Sequence, residues 1–311
     1  YASYALMSTD DVLAVKAYLF SLPPAHAATP ASTLGFPYNQ RYLMRAWRLL
    51  FVPGHRFEPD SGRPAEWNRG AYLVEALGHC GECHTPRNLL YGLDNGRKFA
   101  GATTEGWRAY NITSDREAGI GAWSDDQLGA YLSKGFAPGR GAAAGNMADA
   151  VEHSLRYLSP QDIGAMVAYL RTIPPQKGDA ETSVGPKPQA VAASADYAPP
   201  AEEGAQASLG LQIFQGACAS CHAWDGSGQQ HAEAALLGSR TAADPKGTNL
   251  LQVVLRGARL PTPDGVAFMP GFAKAYSDTE IAALGNYVLA HFGGKKASLT
   301  PADVAAARKL D

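Results

Sequence analysis

Two five-residue strings, Cys80-Gly-Glu-Cys83-His84 and Cys218-Ala-Ser-Cys221-His222, contain all four cysteines of this 311-residue chain. Two thiols at this spacing reach the two vinyl groups of a single porphyrin, and the adjacent imidazole is then held beneath its iron. The strings therefore read as two covalent haem c sites, one on Cys80, Cys83 and His84, the other on Cys218, Cys221 and His222. A zinc site is the weaker reading: the two pairs lie far apart, and neither has further cysteines nearby to complete a tetrahedral set. A thioredoxin-like dithiol would need a βαβ setting, and no such pattern surrounds either pair.

An internal repeat places these strings in domains. Ser8-Thr-Asp-Asp11, Ser159-Pro-Gln-Asp162 and Ser277-Asp-Thr-Glu280 each precede an apolar helical pattern, with an N-cap serine and an acid three residues on. Tyr18, Tyr169 and Tyr287 follow at the same offset and read as core aromatics. Upstream, NRGAYLVEALGHCGECH at 68–84 matches SLGLQIFQGACASCH at 208–222 as an apolar helix running into the cysteines. A unit thus opens with one helix and closes with the other, giving domains at 66–175 and 207–296. Residues 1–24 carry a closing helix only and read as the C-terminal remnant of a third unit.

Between the units, 176–206 is rich in Ala, Pro and charge and reads as a linker. Residues 297–311 read as a tail. Residues 25–65 form a linker with an amphipathic helix, in which Tyr42, Leu43, Ala46, Trp47 and Leu50 share a stripe beside Arg41, Arg45 and Arg48. That stripe either packs on a neighbouring domain or docks on a partner subunit or a membrane surface. Strand-like alternation is scarce, so the expected fold class is all-α: tandem units of short helices and long loops.

A sixth iron ligand follows by elimination among five methionines. Met7 and Met44 precede both motifs, and Met166 lies in an apolar helical pattern that makes it core filler. Met147 remains for the first unit, in the small-residue loop GRGAAAGNMADA, and Met269 for the second, in AFMPGF. His/Met ligation raises the potential and leaves no open position, which suits electron transfer. A dihaem peroxidase, which needs a displaceable ligand, is the competing enzyme class. Arg87, three residues after His84, suits either a haem propionate or solvent, and Asn111-Ile-Thr reads as loop rather than a glycosylation site. A balance of 27 Lys and Arg against 29 Asp and Glu gives no reason to expect nucleic acid as a partner. No apolar run reaches membrane-spanning length.

The blocks GAYLVEALGHCGECHTPRN, AYNITSDREAGIGAWSDDQLGAYLSKG, HSLRYLSPQDIGAMVAYL and GACASCH resemble the multihaem cytochrome c subunit of bacterial periplasmic membrane-bound dehydrogenases, over essentially the whole chain. The resemblance implies three cytochrome c domains in a row, with a third haem on a domain upstream of Tyr1. It also implies a large dehydrogenase partner and delivery of electrons to ubiquinone on the periplasmic side of the cytoplasmic membrane. The segment YLFSLPPAHAATPASTLGFPYNQRYLMRAWRLLF looks most like cytochromes paired with molybdenum-containing aldehyde dehydrogenases, which add a small Fe–S subunit. Pyrroloquinoline quinone or flavin enzymes acting on alcohols or sugars are the alternative partners.

Overall fold

The computed structural model describes residues 2–177, 204–263, 265–294 and 298–310; most of the expected linker at 176–206 lies outside the described residues. Helices α1 (Thr9–Ser21) and α2 (Leu43–Phe51) come first. Then α3 (Ala65–Tyr72) passes through a π-helical turn, Leu73–Leu77, into the short α4 (Gly81–His84). Strands β1 (Ala102–Thr104) and β2 (Trp107–Ala109), helix α5 (Asp125–Lys134), strands β3 (Phe136–Ala137) and β4 (Gly141–Ala142), and helices α6 (Asn146–His153) and α7 (Pro160–Leu170) complete this first unit.

The second unit repeats the opening: α8 (Gly204–Ile213), a π-helical turn at Phe214–Cys218, and α9 (Ala219–His222). It continues through α10 (Arg240–Ala243), α11 (Thr248–Arg256), strands β5 (Ala258–Thr262) and β6 (Gly265–Met269), α12 (Asp278–His291) and α13 (Pro301–Arg308).

The repeated serines do what their spacing predicts. Ser8, Ser159 and Ser277 each accept a hydrogen bond from the backbone N–H three residues on, starting α1, α7 and α12. In both units the opening and closing helices cross at a glycine. A Cβ on Gly70 of α3 would lie 1.9 Å from the Ala165 carbonyl oxygen, and one on Gly210 of α8 would lie 2.3 Å from that of Ala283. Only glycine lets the two backbones approach this closely.

Around these crossings the apolar side chains form separate cores. Val74, Phe99 and Met166 are at most 1% exposed in the first, and Phe214, Ile281 and Leu289 likewise in the second. Tyr287 is buried and Tyr169 half-buried, its hydroxyl bonded to Glu75, in keeping with their reading as core aromatics. Tyr18 departs from it at 65% exposure, because α1 has no opening helix packed against it among the described residues.

The all-α expectation requires correction: the chain is helix-rich, but its described residues also form three two-stranded antiparallel sheets. Their signal is in the turns rather than in apolar alternation. Glu105 and Gly106 both have positive φ, at 51° and 76°, which gives β1 and β2 the tight two-residue hairpin loop that matches strand twist. The segment read as a tail also differs from expectation. Thr300 caps α13 with a full capping box, and Val304, fully buried, closes the second core. Burying a valine of this kind contributes roughly 1.5–3 kcal/mol.

The arginine-flanked helix α2 docks by one edge only. Trp47 Nε1 donates to the Leu90 carbonyl at 2.7 Å, while Leu49 and Leu50 stay 87% and 70% exposed. No helix among the described residues is long and apolar enough to cross a membrane.

The units touch where backbone approaches backbone. A Cβ on Gly238 would lie 2.2 Å from the Gly139 carbonyl oxygen, so the loop before α10 lies directly on the β3–β4 turn. Gly238 also has φ of +76°, a conformation a side chain would strain.

Candidate haem-binding site

The π-helical turn at the end of each opening helix runs into the motif, whose cysteines border a cavity while Cys80 and Cys218 also pack on their cores. Bulges of this kind inside α-helices concentrate at functional sites. Cys80, Cys83 and His84 line a cavity of about 370 Å³ in the first unit, and Cys218, Cys221 and His222 one of about 240 Å³ in the second.

The two histidines are oriented alike. His84 Nδ1 lies 2.6 Å from the Tyr110 carbonyl oxygen, and His222 Nδ1 lies 2.6 Å from that of Ala234. A carbonyl only accepts, so Nδ1 carries the proton and donates it, which leaves each Nε2 with a free lone pair. Metal-binding histidines are characteristically oriented by such a bond. Burial pulls both imidazoles below the usual histidine value, outweighing the carbonyl contact that favours the charged form.

The thiols fit thioether attachment better than they fit zinc. Burial pushes the thiols of Cys80 and Cys218 up, to about 12 and about 11. No cluster of three or more His, Cys, Asp or Glu able to hold a metal occurs among the described residues.

Met147 lines the first cavity and Met269 the second. Met147 sits not in the expected loop but as the second residue of α6, after Gly145 at φ +54°; Met269 ends β6. Met166 is 1% exposed in the first core and lines neither cavity, nor do Met7 and Met44. Arg87 is also outside the cavity: its Nη2 pairs with Glu82 Oε2 at 2.6 Å. Asn111 is 5% exposed and spends its side chain on Thr113 and the Gln176 carbonyl, as a loop-bracing residue does.

Sequence reasoning passed over three contributors. Tyr110 and Ala234 act through carbonyl oxygens, which have no side-chain signature. Arg240 belongs to the second unit and yet lines the first unit's cavity. Its guanidinium donates to the carbonyls of Asn111, Ala118 and Gly119, while its Nε is buried without a partner among the described residues. A buried cation with an unused donor at the cavity wall suits an acidic occupant such as a haem carrying propionates.

The two cavities adjoin. Ala142, Ala144, Ser239 and Thr241 line both, so the wall between them is built from β4 and its following loop on one side and the start of α10 on the other.

Comparison with known proteins agrees with this chemistry. Residues 207–291 match the cytochrome c family. The fructose dehydrogenase cytochrome subunit of Gluconobacter japonicus is 34% identical over 96% of this chain and 64% of its own length. The gluconate 2-dehydrogenase cytochrome c subunit of Pantoea cypripedii is also 34% identical, over 98% of this chain and 71% of its own length. A nicotinate dehydrogenase component of Pseudomonas putida is 37% identical over 95% of this chain, which spans only 24% of that protein. With paired Cys-x-x-Cys-His motifs, a histidine held by a carbonyl in each unit, and likeness along nearly its whole length, this chain belongs to the family of haem c-containing cytochrome subunits of dehydrogenases.

Proposed function

We propose that the chain is a tandem two-haem relay that takes electrons from a dehydrogenase and passes them towards ubiquinone on the periplasmic side of the membrane. The observation that carries this reading is the shared wall. Two cavities, each with a Cys-x-x-Cys-His motif and a methionine in its lining, meet at Ala142, Ala144, Ser239 and Thr241.

Haem c, when bound, supplies an iron that accepts and returns one electron at a time. In this reading Cys80 and Cys83 would hold one haem by thioethers while His84 and Met147 would ligate its iron. Cys218, Cys221, His222 and Met269 would do the same for the other. Tyr110 and Ala234 fix the imidazole orientation through their carbonyls. The apolar cavity linings would keep water from a bound haem, and a histidine and a methionine both holding its iron would leave no place for substrate, which favours relay over a peroxidase reaction.

The dehydrogenase partner is a proposal by likeness. The relatives' names give fructose, gluconate and nicotinate, so the partner's substrate does not follow from the cytochrome. The refinement consistent with segment 18–51 is a molybdenum-dependent aldehyde dehydrogenase with a small Fe–S subunit, peripherally held at the membrane. The test is to purify the complex containing this chain from its native membranes and count molybdenum, flavin and pyrroloquinoline quinone per haem. Candidate substrates are then added while the haem spectrum is followed. Haem reduction by an aldehyde, in a complex containing molybdenum, supports the refined reading. Reduction by an alcohol or sugar with quinone or flavin keeps the relay and moves the partner. A chain that purifies alone, with haems no dehydrogenase substrate reduces, overturns the proposal.

A further inference from the structure

Arg240 is the first residue of α10 in the second unit, and the hydrogen bonds of its guanidinium among the described residues all go to the first. Its Nη1 donates to the Asn111 carbonyl at 3.2 Å, its Nη2 to the carbonyls of Ala118 and Gly119, and its Cζ stands 5.2 Å from the Tyr110 ring centre. That ring belongs to the residue whose carbonyl orients His84.

The residue is 9% exposed, its Nε is unpartnered, and none of its partners among the described residues is a carboxylate. Buried guanidinium groups are ordinarily paired with an anion, because desolvating the charge alone is costly. Burial accordingly draws this one down to about 10, with Arg140 and Arg108 contributing in the same direction.

Those two arginines also line the first cavity. Arg140, in the β3–β4 turn, bonds Gln127 at 3.0 Å and the Ala122 carbonyl. Arg108, on β2, stands 3.9 Å from Asp244. The titratable groups facing Arg240 are Tyr110, after β2, and Tyr131 on α5, both raised by burial and therefore neutral near pH 7, together with His84 of the first motif, whose charged form Arg240 disfavours. Among the described residues, three arginines thus line the cavity, with Asp244 beside Arg108.

We propose that Arg240 anchors a propionate of the first-unit haem from the second unit, so that one side chain both fixes that haem's potential and couples the two units. The inference rests on the reading that Cys80 and Cys83 carry a haem. Three of the five guanidinium N–H groups are taken by carbonyls, and the Nε–H and one Nη1–H remain to bond a carboxylate oxygen. Neutralising the propionate from across the wall disfavours the ferric state, so the cation holds the first haem's potential up. Separating the units would then lower the first potential while leaving the second nearly unmoved.

The test is a redox titration of the full two-haem chain in a Met269→His background, where the second haem's potential is lowered and the first titrates on its own. Arg240→Gln is expected to lower the first wave by about tenfold in its equilibrium constant, 59 mV for one electron. The wave should also gain a slope with pH that the parent lacks, and Arg240→Lys should recover most of the potential. Haem on both motifs is verified by mass, which separates the two failures. A chain without haem on Cys80 and Cys83 fails the underlying reading. A haem-loaded Arg240→Gln chain with an unmoved first wave overturns this proposal alone. Should Arg240→Gln not assemble, a crystal structure of the haem-loaded parent decides. Arg240 within hydrogen-bond distance of a propionate oxygen supports the anchor; propionates that turn away from it overturn it.

Discussion

Arg108 and Asn249, 141 residues apart, exchange two hydrogen bonds across the boundary between the units. The Arg108 backbone N–H donates to Asn249 Oδ1 at 2.7 Å, and Asn249 Nδ2 donates to the Arg108 carbonyl at 3.0 Å. The amide thus satisfies both backbone groups of a β2 residue, as a neighbouring strand would. Asn249 is 9% exposed, so little water is available to replace it. Asn249→Ala should destabilise the chain by about 1–3 kcal/mol, read by chemical denaturation of the haem-loaded protein. Asn249→Asp, which keeps the acceptor but sets a buried carboxylate oxygen against the Arg108 carbonyl, should be no more stable than Asn249→Ala. Equal stability of all three chains would show that this contact does not hold the units together.

The methionines make a second prediction. Met147→Ala and Met269→Ala should each convert one haem from six-coordinate low spin to a form that binds added ligands, with the other haem unchanged. Met147→His should stay six-coordinate and titrate at a lower potential, because an imidazole in place of the thioether favours the ferric iron. Optical spectra and redox titration read both. Unchanged spectra in Met147→Ala would remove that residue from the ligand set.

The glycine crossings carry much of the fold's specificity. Gly70→Ala and Gly210→Ala place a methyl against a carbonyl oxygen at 1.9 Å and 2.3 Å, so the helices must part. Overpacking of this kind costs about 1–3 kcal/mol and sometimes more. Gly216→Ala is the control, since a Cβ there meets nothing within 4 Å. Denaturant midpoints should fall for the first two substitutions and move little for the third.

A pH dependence follows from the link between α3 and α7. Arg69 holds Asp162 through two bonds, at 2.7 and 2.9 Å, and this hydrogen bonding draws the Asp162 carboxyl below its ordinary value. The folded value lies below the unfolded one of about 3.9, so the stabilisation is fully present above that pH. It is lost as pH falls through the folded value. Arg69 is 46% exposed, which limits the pair to about 1 kcal/mol or less. The stability difference between the parent and Asp162→Asn should be constant from about pH 5 to 7 and shrink towards about pH 3. A difference that grows on acidification would contradict the assignment.

What the sequence made legible was whatever acts through adjacent residues. The Cys-x-x-Cys-His motifs, the serine caps of α1, α7 and α12, and the two methionines left by elimination all depend on local spacing. The motifs and the two methionines border the cavities, and the serines start the three helices. The hairpins were hidden because their signal is a turn, Glu105-Gly106, with too few strand residues to show alternation. Met147 read as loop because GRGAAAG masks the helix that begins at Asn146. Helix α13 is short and alanine-rich, and its role depends on Val304 meeting a core formed far upstream in sequence. Arg240 could not be found locally, since its partners lie more than 120 residues away on the other unit.

The most direct measurement for the central claim is the mass of the intact purified chain, compared with Cys80→Ala/Cys83→Ala and Cys218→Ala/Cys221→Ala. The two-haem relay predicts two covalent haem adducts on the parent and one on each double variant. A parent carrying one adduct or none, or a double variant that keeps both, would contradict it.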